Sequence, residues 1–262
     1  MDTEPDIKIE IRDLTMAYGS FVVMRDINAR VKQGEVFVIM GGSGCGKSTL
    51  LRHMIGLKEP AQGDVFYDGI PFWKSDDEVR QEKLRSFGVL FQGGALWSSM
   101  TLTENIGLVL GEFTGFPLAE IREIARLKLA LVGLKGFEDY YPAEISGGMC
   151  KRAGLARALA LDPDVLFFDE PSAGLDPISS RNLDALILQL RDSLGATFVV
   201  VTHELPSIFT IADNSIFLDP DTRTMRAQGN PGELLQNSTD PAVRAFLTRG
   251  EPSRSSATVN SC

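Results

Sequence analysis

The sequence predicts an α/β fold built on a mostly parallel sheet, with a small antiparallel β-subdomain beside it and a helical lobe inserted into it. Three observations predict this. Four short apolar runs, Val36–Met40, Phe87–Phe91, Val165–Phe168 and Thr197–Val201, read as strands buried on both faces. The first of them runs straight into Gly41-Gly42-Ser43-Gly44-Cys45-Gly46-Lys47-Ser48-Thr49 and then into a helical pattern from Ser48 to Ile55 that stops near Gly56. Between the second and third runs, residues 93–161 change to helical period.

The glycine-rich stretch fits the phosphate-binding pattern G-x-x-x-x-G-K-[ST] in the strand–turn–helix context that the chemistry needs. Gly44 and Gly46 let the backbone curl so that successive N–H groups face one concavity, and the helix dipole adds positive charge at the same point. Lys47 is expected to reach the β- and γ-phosphates of a nucleoside triphosphate, Ser48 to place its hydroxyl on Mg²⁺, and Thr49 to support the α-phosphate.

The chain has 262 residues, 44% hydrophobic and 23% charged, which suits an ordinary globular protein with a substantial core. A formal net charge of −9 argues against a nucleic-acid partner held on a broad basic surface. Cys45, Cys150 and Cys262 show neither metal spacing nor a disulfide framework and read as reduced thiols. The acidic start, Met1 to Asp6, has no signal-peptide pattern, and no apolar run approaches the roughly 18 residues of a membrane span.

In chain order, Ile7–Ile11 alternates as a half-buried strand, Tyr18 falls in a turn, and Phe21–Met24 and Ile27–Val31 suggest a second and a third strand. Phe66–Gly69 reads as a further strand ending in a turn, and together these form the small antiparallel sheet beside the phosphate loop. Tyr18 is then placed to stack on adenine. Phe87–Phe91 ends at Gln92. In the helical span, Leu118, Ile121, Ala125, Leu129 and Val132 recur at three- and four-residue steps. The span ends in Ser146-Gly147-Gly148, with Ser146 as N-cap of a helix reaching Leu161. Two glycines there leave N–H groups bare for an oxygen-rich ligand.

Val165–Phe168 delivers Asp169 and Glu170 to the crevice of the phosphate loop. Asp169 is expected to hold the Mg²⁺ shell and Glu170 to act as general base on the attacking water. A helix with Leu183, Leu186, Ile187, Leu190 and Leu194 on one face follows, and Thr197–Val201 brings His203 to the same edge. His53, inside the helix after the loop, reads as structural. A hairpin about Asp219-Pro220-Asp221, a short helix from Pro241 to Leu247 and a polar, disordered tail at Ser253–Thr258 complete the chain. The expected divisions are 1–92 and 162–229 for the nucleotide-binding core, 93–161 for the helical lobe, and 230–262 for a C-terminal helix and tail.

Tyr18, the Gly41–Thr49 loop, Gln92, Ser146-Gly147-Gly148-Met149, Asp169-Glu170, Ser172–Asp176 and His203 together resemble the motif series of the ATP-binding-cassette ATPases, over residues 7–229. The resemblance implies a P-loop NTPase core of RecA-like fold, with ATP and Mg²⁺ as cofactors. It also implies a head-to-tail dimer, in which Ser146, Gly147 and Gly148 grip the triphosphate held by the partner's phosphate loop and Asp176 sits at the seam. Gln92 would contact Mg²⁺ and the water and relay nucleotide state to the lobe; His203 would bond the γ-phosphate. Met149 and Ile145 depart from the family's usual Gln and Leu. Phe91–Leu96, Ser146–Met149 and Asp240–Leu247 further resemble the Mla/Mce-type phospholipid transport ATPases of bacterial envelopes. That implies a membrane permease, an Mce-domain lipid carrier and in some cases a small STAS-domain protein as partners, and a place on the cytoplasmic face of the inner membrane. Transport of another solute is the alternative.

Overall fold

The computed structural model describes residues 6–249. The disordered tail expected at Ser253–Thr258, the acidic start before Asp6 and Cys262 lie outside the described residues.

Two sheets organise the chain. The first strand, β1 (Ile7–Tyr18), pairs antiparallel with β2 (Phe21–Lys32) through the turn Gly19-Ser20. Tyr18 is therefore the last residue of a strand rather than part of a turn. Phe21–Met24 and Ile27–Val31 belong to one strand, not two. What separates them in the sequence, Arg25-Asp26, is an irregularity within β2, where Asp26 takes φ 54°. Asp13 does the same in β1 with φ 48°, and its N–H donates to the Asn28 side chain at 2.9 Å. Such bulges tighten the twist of a two-stranded ribbon and interrupt the alternation that sequence reading relies on.

The phosphate-loop strand β3 (Val36–Gly41) leads into α1 (Lys47–Met54). The pair β4 (Gln62–Tyr67) and β5 (Ile70–Pro71) completes the antiparallel sheet in the order β2-β1-β4-β5. A short helix, α2 (Asp77–Arg85), follows; it buries none of its residues, so no apolar stripe marks it in the sequence. Next come β6 (Phe87–Leu90), α3 (Leu102–Phe113), α4 (Leu118–Leu131), α5 (Gly147–Ala158) and β7 (Val165–Asp169). The chain then runs through α6 (Pro177–Leu194), β8 (Thr197–Val201) and α7 (Leu205–Ile211). It closes with the hairpin β9 (Asn214–Asp219) and β10 (Thr224–Gly229), then α8 (Pro231–Asn237) and α9 (Pro241–Leu247).

The larger sheet has the order β10-β9-β3-β8-β7-β6 and is parallel except for β10. This is the mostly parallel α/β sheet that the sequence predicts. Its central strands are buried on both faces, and alternation sorts them between two cores. Val36, Val38, Met40, Leu166, Phe168, Phe198 and Val200 face the helical side. Phe37, Ile39, Val165, Phe167, Val199 and Val201 face α1 and the antiparallel sheet. Covering both faces is what makes such strands read as continuous apolar runs.

The inserted lobe is a long connection between neighbouring parallel strands β6 and β7. Its helix starts are well specified: Thr101 and Glu104 form a capping box on α3, and Ser146 caps α5. On α4, Ile121, Ala125, Leu129 and the following Val132 are buried as their spacing predicts, whereas Leu118 is exposed. On α6, Leu183, Ile187 and Leu190 are buried and Leu194 is exposed. In both helices the exception lies at a terminus, where the helix runs past the surface it packs on.

Candidate nucleotide site

The site lies where the C-terminal ends of four neighbouring parallel strands meet. In spatial order β3, β8, β7 and β6 deliver the Gly41–Thr49 loop, His203, Asp169 with Glu170, and Gln92. An open α/β sheet forms its crevice at this edge. The cleft has a volume of about 380 Å³ and is lined by Ser43, Gly44, Gly46, Lys47, Ser48, Thr49, Gln92, Glu170 and His203 of the predicted residues, with Val23 added from β2.

Within it the loop curls as its glycines permit. Gly46 caps α1 with φ 96°, and a Cβ there would stand 3.1 Å from Val23 Cγ1. The first N–H groups of α1 have no side-chain cap, so they and the helix dipole face the cleft. The Lys47 ammonium, 7% exposed, donates to the carbonyls of Gly41 (3.0 Å) and Gly42 (2.9 Å) and lies 4.0 Å from Glu170 Oε1. Cys45 points away from the cleft into the core, and burial pushes its thiol above the ordinary value.

Ser48 Oγ donates to Asp169 Oδ1 at 2.8 Å, which sets two hard oxygen groups side by side. Glu170 takes the left-handed φ of 48°, and its N–H donates to Val201 O at 2.9 Å. One carboxylate oxygen, Oε1, meets His203 Nδ1 at 2.8 Å; the other, Oε2, is buried without a hydrogen-bond partner. A buried carboxylate oxygen with no donor is costly in a purely structural role, and at a strand end facing a cleft it marks a place for chemistry. Hard oxygen donors of this kind suit Mg²⁺. Among the described residues no group of three or more His, Cys, Asp or Glu is arranged to hold a metal; Ser48, Gln92 and Asp169 are the residues here that would hold Mg²⁺.

Tyr18 does not line the cleft. It stands next to Thr49, which hydrogen-bonds its hydroxyl and lowers its pKa, and the Lys58 ammonium covers one ring face at 2.8 Å from the centroid. Its ring is half exposed. Ser146, Gly147, Gly148 and Asp176 stand apart from the cleft, on a second surface. There the Ser146 Oγ accepts from Met149 N at 3.3 Å, and Asp176 caps α6 by accepting from Ile178 N and Ser179 N. Gly148 lies against Ser179 and Leu175, so the N-termini of α5 and α6 are neighbours. His53 is fully buried, with Nδ1 2.5 Å from Lys58 O.

Two residues at or beside the site escape sequence reading. Val23 is one of several alternating apolar residues in β2. Lys151, buried in α5, donates to the carbonyl of Gln92; in the sequence it is one of two adjacent cations, Lys151-Arg152, with nothing to tell them apart. Ser172, which the motif series includes, is buried with an unpartnered hydroxyl.

Comparison with known proteins agrees with this geometry. The ABC transporter family matches residues 24–173, more than half of the chain. The chain is 43% identical over 241 residues to the probable ribonucleotide transport ATP-binding protein mkl of Mycobacterium tuberculosis (strain ATCC 25618 / H37Rv), covering 92% of itself and 66% of that relative. It therefore spans just under two-thirds of the length of mkl. It is 40% identical over 243 residues to the intermembrane phospholipid transport system ATP-binding protein MlaF of Haemophilus influenzae, covering 93% of itself and 90% of that relative. Among solved structures, cbiO1 from Clostridium perfringens, part of the ABC transporter complex cbiONQ, superposes with a TM-score of 0.81 at 28% identity, covering 88% of this chain and 92% of that one. The dimeric ATP-binding cassette MJ0796, in a post-hydrolysis state bound to ADP and Pi, superposes with a TM-score of 0.75 at 28% identity, covering 85% and 98%. A phosphate loop, a carboxylate pair and a strand-end histidine on one sheet edge, a capped glycine helix on another surface, and these similarities lead to one conclusion: the chain belongs to the ABC transporter family, as an ATP-binding cassette.

Proposed function

We propose that the chain is the ATP-hydrolysing subunit of a bacterial transporter that moves phospholipid across the cell envelope, working as a head-to-tail dimer on the cytoplasmic face of the inner membrane. The observation that carries the hydrolase reading is the Glu170 carboxylate, held 2.8 Å from His203 and 4.0 Å from Lys47 beside the phosphate loop, with Oε2 free of any donor. The lipid reading is supported by the end-to-end match to MlaF, 93% of this chain against 90% of that protein. A second reading, transport of a ribonucleotide, is favoured by the name of mkl, which is slightly more similar in sequence but longer.

In this reading residues 1–92 and 162–229 are the nucleotide-binding core, 93–161 the moving lobe, and 230–262 the C-terminal extension. Lys47, the bare N–H groups of the Gly41–Thr49 loop and the α1 dipole bind the triphosphate, and Tyr18 stacks on the adenine with the ring face that Lys58 leaves open. Ser48, Asp169 and Gln92 would hold a Mg²⁺ ion, which when bound would neutralise charge on the phosphate oxygens. Glu170 takes a proton from the attacking water while His203 bonds the γ-phosphate. Ser146, Gly147, Gly148 and Asp176 serve the partner subunit's nucleotide. The chain works through a permease, with an Mce-domain lipid carrier as a further partner and, in some systems of this type, a small STAS-domain protein; among its described residues no helix is long and apolar enough to cross a membrane.

Purification from native cells in mild detergent, with mass spectrometry of proteins and lipids, tests the cargo. A permease with an Mce-domain protein and enriched phospholipid is expected; a permease with a soluble solute-binding protein, a ribonucleotide and no enriched lipid would overturn the lipid reading. Glu170→Gln tests the chemistry. It keeps the shape and the contact to His203, so ATP binding should survive while turnover falls by about 10²–10⁴. Near-normal turnover would remove Glu170 from the role of base.

A further inference from the structure

The loop carrying Gln92 and the helix carrying the Ser146–Gly148 turn are fastened to each other by contacts that nucleotide chemistry does not require. Lys151, one turn into α5, is 7% exposed and donates to Gln92 O. Arg157, six residues further along α5 and on the far side of Gly154, donates to Gly94 O at 3.1 Å and to Ala95 O at 2.5 Å. Three carbonyls of one short loop are thus held by two cations of one helix.

Between those cations the backbones themselves touch. A Cβ on Gly154 would stand 2.9 Å from Gly94 O, 2.9 Å from Leu90 Cδ1 and 3.1 Å from Gly94 Cα. From the other side, a Cβ on Gly94 would stand 3.2 Å from Cys150 O. The loop is tightly turned, with Gly94 at φ 74° and Ala95 at φ 50°, and Gly94 N donates to Phe91 O at 2.8 Å. Two charged donors and a glycine-on-glycine contact leave no room for the helix to slide on the loop. Burial lowers the pKa of both Lys151 and Arg157, while Asp169 and Glu170 pull that of Lys151 back up. Lys151 therefore feels the catalytic carboxylates of its own subunit.

We propose that Lys151 and Arg157 are positioning residues that clamp the Gln92 loop to α5, so that Gln92 in one site and the Ser146–Gly148 turn offered to the other site move as one rigid unit. The clamp rests on the nucleotide reading above. It makes occupancy of one cleft shift the signature turn that completes the next, which is a coupling free energy between two sites. Because it acts through backbone carbonyls, it needs no change in the phosphate loop that binds ATP.

The test uses the full transporter complex and compares wild type with Lys151→Met, which keeps length and volume but has no donor, and Lys151→Arg, which restores one. Three quantities are read: affinity of the purified chain for a fluorescent ATP analogue, the dependence of hydrolysis on ATP concentration, and amide exchange over residues 92–95. The expected result for Lys151→Met is unchanged analogue affinity, a kcat about tenfold lower, a Hill coefficient falling from near about 2 to near about 1, and faster exchange over 92–95. Lys151→Arg should recover all three. Should Lys151→Met not fold, Arg157→Lys, which shortens the reach to Gly94 and Ala95, should show the same loss of cooperativity. Wild-type cooperativity and exchange in either variant would overturn the clamp while leaving the ATPase reading intact. A wild-type complex that does not bind or hydrolyse ATP would overturn the ATPase reading, and the clamp with it.

Discussion

Gly88 is the residue on which the junction of sheet and lobe is most exposed to perturbation. It lies in β6, opposite Leu166 of β7, two residues before the strand gives way to the Gln92 loop. A Cβ added there would stand 2.3 Å from Ala158 O, 2.9 Å from Pro163 Cγ and 3.1 Å from Ala158 C. Ordinary contact begins near 3.4 Å, so β6 must separate from the end of α5 by about 1 Å, and the obstacle is backbone rather than a side chain that can turn away. Overpacking of this kind costs about 1–3 kcal/mol. Replacing glycine in a strand returns about 0.5–1 kcal/mol of chain entropy. The balance for Gly88→Ala is a loss of about 1–2 kcal/mol, or a fall in Tm of about 3–8 °C for a chain of this size. Gly111→Ala in α3 is the counterpart: its Cβ meets only Ile121 Cδ1 at 3.9 Å, so the gain in helix propensity is unopposed and Tm should rise by about 2–3 °C. Scanning calorimetry of the purified chains measures both. If Gly88→Ala melts at or above wild type, or if the two variants shift in the same direction, the close packing of β6 on α5 is wrong.

Lys47→Ala removes the buried ammonium from the phosphate loop and should weaken ATP binding by about tenfold to a hundredfold, read by titration of a fluorescent analogue; unchanged affinity would contradict the phosphate-loop assignment. Asn105, fully buried, accepts from Trp97 N at 2.7 Å and donates to the carbonyls of Trp97, Met100 and Thr101, so Asn105→Ala should cost about 2–3 kcal/mol, seen as a lower denaturation midpoint at constant m-value. His53 is held below its ordinary pKa first by burial, with Nε2 unpartnered. A depressed folded pKa means that its share of stability is complete above the unfolded value of about 6.5 and is lost as pH falls toward the folded value, with a slope of at most about 1.4 kcal/mol per pH unit. His53→Gln should flatten the stability profile between about pH 6.5 and 5, relative to wild type, in urea melts taken across that range; parallel profiles would refute it.

The parts that sequence makes legible are those where one physical rule acts alone. The strands β3, β7 and β8 are buried on both faces, so they stand out as apolar runs, and each ends where the next polar residues must face the cleft. The capped start of α5 at Ser146 is written in a single side chain, whereas the cap of α6 at Asp176 is seen only in the structure. What stays hidden is set by partners distant in sequence. The break between Phe21–Met24 and Ile27–Val31 looks like a strand end because Asp26 interrupts the alternation, yet pairing with β1 carries the strand through. Lys151 has no pattern of its own in the sequence; only the fold sets the Gln92 loop against it. Tyr18 is legible as an aromatic near the phosphate loop, but not its partner Lys58, forty residues on.

The geometry about Glu170 would make nucleotide binding and the proposed hydrolysis separable events. The residue sits at the end of β7 with φ 48°, a conformation costing about 1–3 kcal/mol for a side chain of this kind, fixed by its N–H on Val201 O. Its Oε1 shares its surroundings with His203 and Lys47, the two groups whose positive charge or proton suits a γ-phosphate. A triphosphate that draws Lys47 from the carbonyls of Gly41 and Gly42 and takes the proton of His203 also withdraws both from Oε1. The carboxylate would then have lost its contact with His203 and the neighbouring Lys47 charge, its Oε2 having no donor to begin with. An acceptor so deprived in a cleft of about 380 Å³ would gain most by taking a hydrogen bond from water, which suits the role of base proposed for it. In the proposed mechanism, nucleotide binding would thereby ready Glu170 through the loss of its own partners.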